Sequence, residues 1–248
     1  MISLYPGHMR CLAAYGRALK QRNRVLSTAR EGRYSIEENL LGSWDEAVVK
    51  QGARILWNRM RYVRRMKGEL PQGLFSAEIL KIHYLSTVMN PERDEDCDLA
   101  DIEERFHRRL LQTRSYDKKT GSTSVGPHRD DLKLFINGKS LIEFGSAGQQ
   151  RSSLLALYFS QMEIHYKAHG FYPLFLMDDV EAELDEYRIR TFLEYLAQRT
   201  QTFLTSAKDL LLSSIEPDIP HFEMRDGIVF PKTSSDRPVA TDTNSYTD

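Results

Sequence analysis

Two short stretches of this sequence combine residue types suited to phosphate chemistry. Between Phe144 and Phe159 a small-residue turn, Gly145-Ser146-Ala147-Gly148, runs straight into an apolar segment, Leu154 to Phe159, with helical character. A helix start exposes backbone N–H groups without intrahelical partners, and the macrodipole adds partial positive charge there. Glycines let a ligand approach closely and Ser146 can donate, so the turn can cradle a phosphate. Downstream, Pro173-Leu-Phe-Leu-Met-Asp-Asp-Val-Glu-Ala-Glu-Leu-Asp185 carries an apolar run that ends in Asp178 and Asp179. This pattern predicts a buried strand delivering two carboxylates to a sheet edge. Mg²⁺ takes one or two carboxylates together with substrate phosphates, so the acid pair complements the cradle. Each feature alone has a plainer reading: a Gly/Ser turn caps helices, and an Asp pair after a strand serves as a turn or N-cap.

Several elements must hold these stretches in place. Residues 8–29 read as a helix, with Leu12, Tyr15, Leu19 and Leu26 on an apolar stripe and Arg10, Arg17 and Arg24 seven apart on another face. A connection over 32–42 leads to a second helix from Ser43 to Lys67, with Ser43 as N-cap and Glu46 completing a capping box. Two long helices with a short link predict an antiparallel helical arm over residues 1–72. Beyond Gly68 to Gly73, the pattern predicts a strand over Ile79 to Ser86, an acidic loop, and a charged helix over 99–114. Gly126-Pro-His-Arg-Asp-Asp131 then leads into a strand, Leu132 to Ile136, an Asn137-Gly138 turn, and a return strand, Leu141 to Phe144.

A helix over 148–168 is apolar around much of its circumference and is expected to pack on the sheet. His165 and His169 stand at i, i+4 and could share a metal, but lack a third ligand; favourable placement at a helix C-terminus is the simpler reading. Further helices are expected over 186–198 and 207–212, a strand over 201–205, and a closing hairpin about Arg225-Asp226-Gly227. The Ser/Thr/Asp-rich tail over 232–248 reads as disordered.

Composition sets the outer limits. The 248 residues are 41% hydrophobic and 28% charged, an ordinary globular balance with room for a sizeable core. No apolar run approaches the ~18–20 residues of a membrane span, and neither a signal-peptide core nor a cysteine framework is evident, which fits a reducing cytosol. The net charge of −1 conceals an asymmetry: residues 1–72 hold 14 Lys/Arg against 6 Asp/Glu. A polyanionic partner is therefore expected at the N-terminal third. Within it Arg54, Arg59, Arg61, Arg64, Arg65 and Lys67 could contact phosphates, or form a solvated helix face.

Four blocks together narrow the reading. The Gly145 turn and the Asp178-Asp179 run, with Glu183-Leu-Asp185 following, resemble the signature motif, Walker B strand and D-loop of SMC-like ATP-binding-cassette ATPases. Thr123-Ser-Val-Gly-Pro-His-Arg-Asp-Asp131 and Tyr15-Gly-Arg-Ala-Leu-Lys-Gln-Arg-Asn23 narrow the resemblance to the RecF family, over residues 6 to about 230. It implies a mixed α/β (α+β) fold. Residues 73–231 would be the C-terminal portion of a P-loop ATPase lobe, carrying the N-terminal arm.

The resemblance also implies roles. Ser146, Ala147, Gly148 and Gln149, with Arg151, would face the γ-phosphate of ATP held by a second subunit. Asp178 would hold Mg²⁺ through water, and Asp179 stands at the general-base position. Ala182, Glu183, Leu184 and Asp185 match the D-loop. Thr205 and Ser206 lie where many cassette ATPases have a switch histidine, and Glu181 replaces a more usual apolar residue. The resemblance gives His128 and Arg129 no chemical step.

One departure matters more: no GxxxxGK[ST] occurs, and Gly121-Ser-Thr-Ser-Val-Gly126 is followed by Pro127-His128 rather than by Lys. The resemblance thus implies the C-terminal part of a RecF protein without its Walker A region. The implied role is an ATP-dependent dimer in the cytoplasm that binds DNA at single-strand gaps with RecO and RecR partners, in recombinational repair and the SOS response. Arg59, Arg61, Arg64 and Arg65 are its candidate DNA contacts. Two other readings stand beside it. One is a non-enzymatic DNA- or partner-binding module. The other is an overcoming-lysogenization-type nuclease, disfavoured because no second acidic cluster appears.

Overall fold

A computed structural model describes residues 4–30, 38–74, 78–94, 96–180, 185–207 and 220–232, without the side chains of Ala29, Glu38 and Lys232. It divides into two units, Met1–Phe171 and Tyr172–Asp248.

In the first unit, helices α1 (His8–Arg30) and α2 (Glu38–Gly68) run antiparallel. The early His8 meets the late Asn58, and the late Arg22 meets the early Asp45. α2 starts before the expected Ser43, which is no cap: its hydroxyl donates to Asn39 O one turn back. The reason is that Leu41, fully buried, extends the apolar stripe of Val48, Ile55 and Leu56 two turns toward the N-terminus. α3 (Leu99–Thr120) is also longer than the expected 99–114. Asp98 and Asp101 form its capping box, and the buried carboxylate of Asp117, bonded to Arg22, secures the added turns. The three helices share one core around Tyr15, Val48, Ile55, Leu56, Ile102, Phe106 and Leu110.

Strand β1 (Leu80–Leu85) pairs antiparallel with β2 (Asp131–Ile136), which turns through Asn137-Gly138 into β3 (Lys139–Ser140). β1 alternates as its sequence predicts, with Leu80, Ile82 and Tyr84 inward. The expected return strand Leu141 to Phe144 does not form. After two ladder residues Leu141 turns into the interior and the chain makes a helical turn, α4 (Leu141–Phe144), closed by Gly145 N–H to Leu141 O at 2.9 Å. The long helix α5 (Ala147–His169) follows. As anticipated it packs on a strand, setting Ala156 and Ile164 against β1 residues Leu80, Ile82 and Tyr84 and the end of α2.

In the second unit, β4 (Phe175–Met177) pairs parallel with β5 (Thr202–Leu204), and α6 (Glu186–Ala197) covers one face, Phe175 meeting Phe192 edge-on at 5.4 Å. The other face carries Leu176 and its partner Phe203, which are 72% and 53% exposed. The expected buried strand is thus covered on one side among the described residues; a parallel strand needs cover on both. Strands β6 (His221–Arg225) and β7 (Ile228–Lys232) form the anticipated hairpin. All but the first residue of the expected helix over 207–212, most of the D-loop (Ala182, Glu183, Leu184) and the tail beyond Lys232 lie outside the described residues.

Candidate functional site

The expected phosphate cradle is the start of α5. Ser146 is its N-cap: the Ser146 hydroxyl accepts from Gln149 N–H at 3.2 Å, and Gln149 Oε1 accepts from Ser146 N–H at 2.8 Å. This reciprocal box leaves the first-turn N–H groups of Ala147 and Gly148 without i−4 acceptors, pointing along the positive end of a 23-residue helix. The turn that delivers them needs glycine, because a Cβ at Gly145 would sit 2.4 Å from Leu141 O. Gln149 Nε2 donates to Glu78 Oε1 at 2.5 Å, tying the turn to the chain just ahead of β1. Arg151 lies on the exposed side of the first turns. The same geometry satisfies the plainer cap reading; the open N–H groups are what a cradle requires beyond it.

The second unit organises the acid pair around Thr205. The Thr205 hydroxyl donates to Asp178 Oδ1, leaving the second carboxylate oxygen of Asp178 for another partner. The same hydroxyl oxygen accepts from Asp179 N–H at 3.0 Å, and Thr205 O accepts from Val180 N–H at 3.1 Å. Asp179 is held at φ +48°, a left-handed conformation uncommon for residues other than glycine and a form of strain found at functional sites. Asp178 and Asp179 are both exposed. Asp185 N-caps α6, accepting from Arg188 N–H at 2.9 Å. These donors and acceptors fit the groups that the sequence suggests: N–H groups toward a phosphate, and an exposed carboxylate pair toward Mg²⁺.

The Gly126–Asp131 block, which had no assigned step, is a clasp. Asp130 accepts from the Tyr84 hydroxyl and from Thr87 N–H at 3.1 Å, with the Arg59 guanidinium 3.9 Å away. Burial pushes the Asp130 carboxyl up, and these donors oppose the shift. Arg59 also donates to Pro127 O at 2.6 Å. Gly126 sits at φ +127°, where a Cβ would come 2.5 Å from the Tyr15 hydroxyl. His128 Nε2 lies 3.1 Å from Thr123 O and Nδ1 lies 2.7 Å from the Tyr15 hydroxyl. The matching tautomer is Nε2–H donating to the carbonyl and Nδ1 accepting from tyrosine. Burial accordingly lowers the His128 pKa.

Sequence reasoning missed Arg22. Fully buried, it donates to Asp45 at 2.6 Å, Asp117 at 2.8 Å and the Thr123 hydroxyl at 2.7 Å, and Arg114 donates to Asp45 at 2.6 Å. One signal was available: Arg22 stands four residues from both Ala18 and Leu26, inside the apolar stripe.

The four candidate DNA contacts on α2 do not share one environment. Arg59 faces the clasp. Arg61 lies over the Trp57 ring at 4.4 Å, Arg65 over the Tyr5 ring at 5.9 Å, and Arg64 is 3.6 Å from Asp96. The His165 and His169 rings lie tilted with centroids 4.4 Å apart, and burial lowers the His165 pKa. No group of three metal-ligating side chains exists among the described residues. Nor is any described helix long and apolar enough to cross a membrane.

Comparison with known proteins extends this picture. No protein-family model matches the chain. It is similar to the DNA replication and repair protein RecF of Halothermothrix orenii, at 34% identity over 226 residues, 88% of this chain and 59% of that protein. The RecF of Streptococcus agalactiae is 33% identical over 228 residues, 90% of this chain and 59% of its own length. Among solved structures, a recombination mediator protein RecF bound to ATP, described as part of the RecFOR pathway, superposes with a TM-score of 0.75 at 32% identity. That likeness covers 94% of this chain and 60% of the other. The chain thus spans about 59% of the length of the curated relatives it matches.

Proposed function

We infer that this chain, a RecF-family sequence with the fold of an SMC-like ATPase lobe, acts in DNA replication and repair by binding DNA and completing an ATP site at a subunit boundary. Ser146, Ala147, Gly148, Gln149 and Arg151 face the γ-phosphate held by a second subunit. Asp178 would hold Mg²⁺, and Asp179 would take the proton of an attacking water. Asp185 fixes the exit of the D-loop by capping α6. ATP supplies the transferable phosphoryl group and Mg²⁺ neutralises its charge; the chain supplies orientation and donors. The same reading takes in single-strand gaps, RecO- and RecR-type partners, recombinational repair, the SOS response and a cytoplasmic location.

The observation that carries the inference is the start of α5. Its cap leaves two N–H groups open, on a helix whose own side chains satisfy the rest of the turn. Because no Lys-bearing GxxxxGK[ST] loop lies in these 248 residues, the chain alone is proposed to bind ATP only weakly. The test adds it to a full-length RecF protein held below its own dimerisation concentration. ATP turnover should rise, since signature donors of this kind are worth about 10²–10³ in rate, and Ser146→Arg should abolish the rise. Equal, unchanged rates with both soluble chains would refute the composite site.

A second reading, a DNA- or partner-binding module without turnover, is favoured by that same missing loop. It requires DNA affinity to be indifferent to ATP and to Asp178→Ala.

A further inference from the structure

We propose that the outward face of α1 is the track on which DNA phosphates lie, an inference that rests on the DNA-binding reading above. α1 has 23 residues and not one acidic side chain. Its inward stripe is Tyr15, Ala18, Arg22 and Leu26, all buried. At about 100° per residue, Arg10, Arg17 and Arg24 fall within a narrow arc nearly opposite that stripe, with Lys20 at its margin. All four are exposed, and none forms an ion pair, cation–π contact or side-chain hydrogen bond among the described residues.

Four arginines of the arm lack this freedom, although Lys50, Arg54 and Lys67 of α2 are exposed like those of α1. Arg59, Arg61, Arg64 and Arg65 of α2 each already face a carboxylate, a carbonyl or a ring. A guanidinium bonded to a carboxylate or carbonyl must give up that partner before it neutralises a phosphate, and one stacked on a ring is fixed in place; those of α1 need give up only water. Seven-residue spacing sets the α1 arginines about 10 Å apart along a straight row of roughly 21 Å. Duplex DNA carries one charge per ~1.7 Å of axis, so such a row meets several phosphates without deforming either partner. The interaction is with the backbone, and so independent of sequence.

The experiment uses the full chain and fluorescent duplexes of two unrelated sequences, titrated at several salt concentrations, with phosphatidylserine vesicles as a second polyanion. Arg10→Ala/Arg17→Ala/Arg24→Ala is compared with Arg61→Ala/Arg64→Ala/Arg65→Ala, and alanine at exposed helix positions preserves folding. The α1 variant should weaken binding to both duplexes about 30-fold and flatten the log–log salt dependence by about 2.7, at ~0.9 per lost phosphate contact. The α2 variant should change the slope by less than about 1. Wild-type binding that survives in the α1 variant, or falls only in the α2 variant, overturns the α1 track but leaves the DNA reading intact. A wild-type chain that binds neither duplex, or binds vesicles alone, removes the DNA reading and this inference with it.

Discussion

The outer face of α1 and the arginine cluster of α2 are built from the same side chains and do opposite things. Around the C-terminal half of α2 four arginines belong to the fold. Arg59 joins the Pro127 carbonyl and faces Asp130, Arg61 covers Trp57, and Arg64 faces Asp96. On α1 Arg22 is drawn inside and Arg30 donates to Thr120 O, while Arg10, Arg17, Lys20 and Arg24 are left to solvent. A count of basic residues treats both helices alike. Only the partners tell a cation that stabilises the chain from one available to a ligand.

Variants can break this comparison, and the largest effect belongs to Arg22. Removing it leaves the buried Asp117 carboxylate without the Arg22 cation and Asp45 with Arg114 alone. Arg22→Ala should lower unfolding free energy in urea by about 3–5 kcal/mol, whereas Arg17→Ala should change it by less than about 0.5. If the two variants were equally stable, the division between inward and outward cations would fail.

Next comes the clasp that receives Arg59. At φ +127° and with the Tyr15 hydroxyl 2.5 Å from any Cβ, Gly126→Ala should cost about 2–4 kcal/mol by the same measurement. Tyr84→Phe removes only the hydroxyl that donates to Asp130 and should cost about 1–2 kcal/mol. Neither should alter the salt dependence of DNA binding if the α1 face carries the phosphate contacts.

The smallest effect is that of acid. The folded pKa of His128 is depressed below 6.5 by burial, so the unfolded chain takes up the proton first. Stability from this residue is full above pH 6.5 and is lost as pH falls through the folded value. Melting curves between pH 7.5 and 5 should show a loss of stability that is smaller in His128→Gln. An unchanged pH response in that variant would take the imidazole out of the clasp.

Much of this molecule was legible in its residues, and the failures have local causes. The α1 and β1 patterns gave their elements because one face of each is buried along its whole length. The start of α2 was misplaced because a Ser with a Glu three residues on mimics a capping box, while Leu41 outweighs it by burial. The Leu141–Phe144 return strand failed because four residues, Leu-Ile-Glu-Phe, carry no period that separates a strand from a helical turn. In the site, the Ser146 cap and the Asp178-Asp179 pair could be read from spacing alone. The role of Thr205, which bonds both aspartates, could not, because it comes from a strand pairing across sequence. The clasp was invisible for the same reason: Tyr15, Arg59, Tyr84 and His128 are brought together only by packing.

Arginine footprinting tests the central contrast most directly. The full chain is treated with a guanidinium-selective reagent, with and without saturating duplex DNA, and each modified arginine is quantified by mass spectrometry. DNA should strongly protect Arg10, Arg17 and Arg24 and leave Arg61, Arg64 and Arg65 little changed, with Arg22 unreactive in both states. Protection of the α2 arginines with α1 left fully reactive would contradict that contrast.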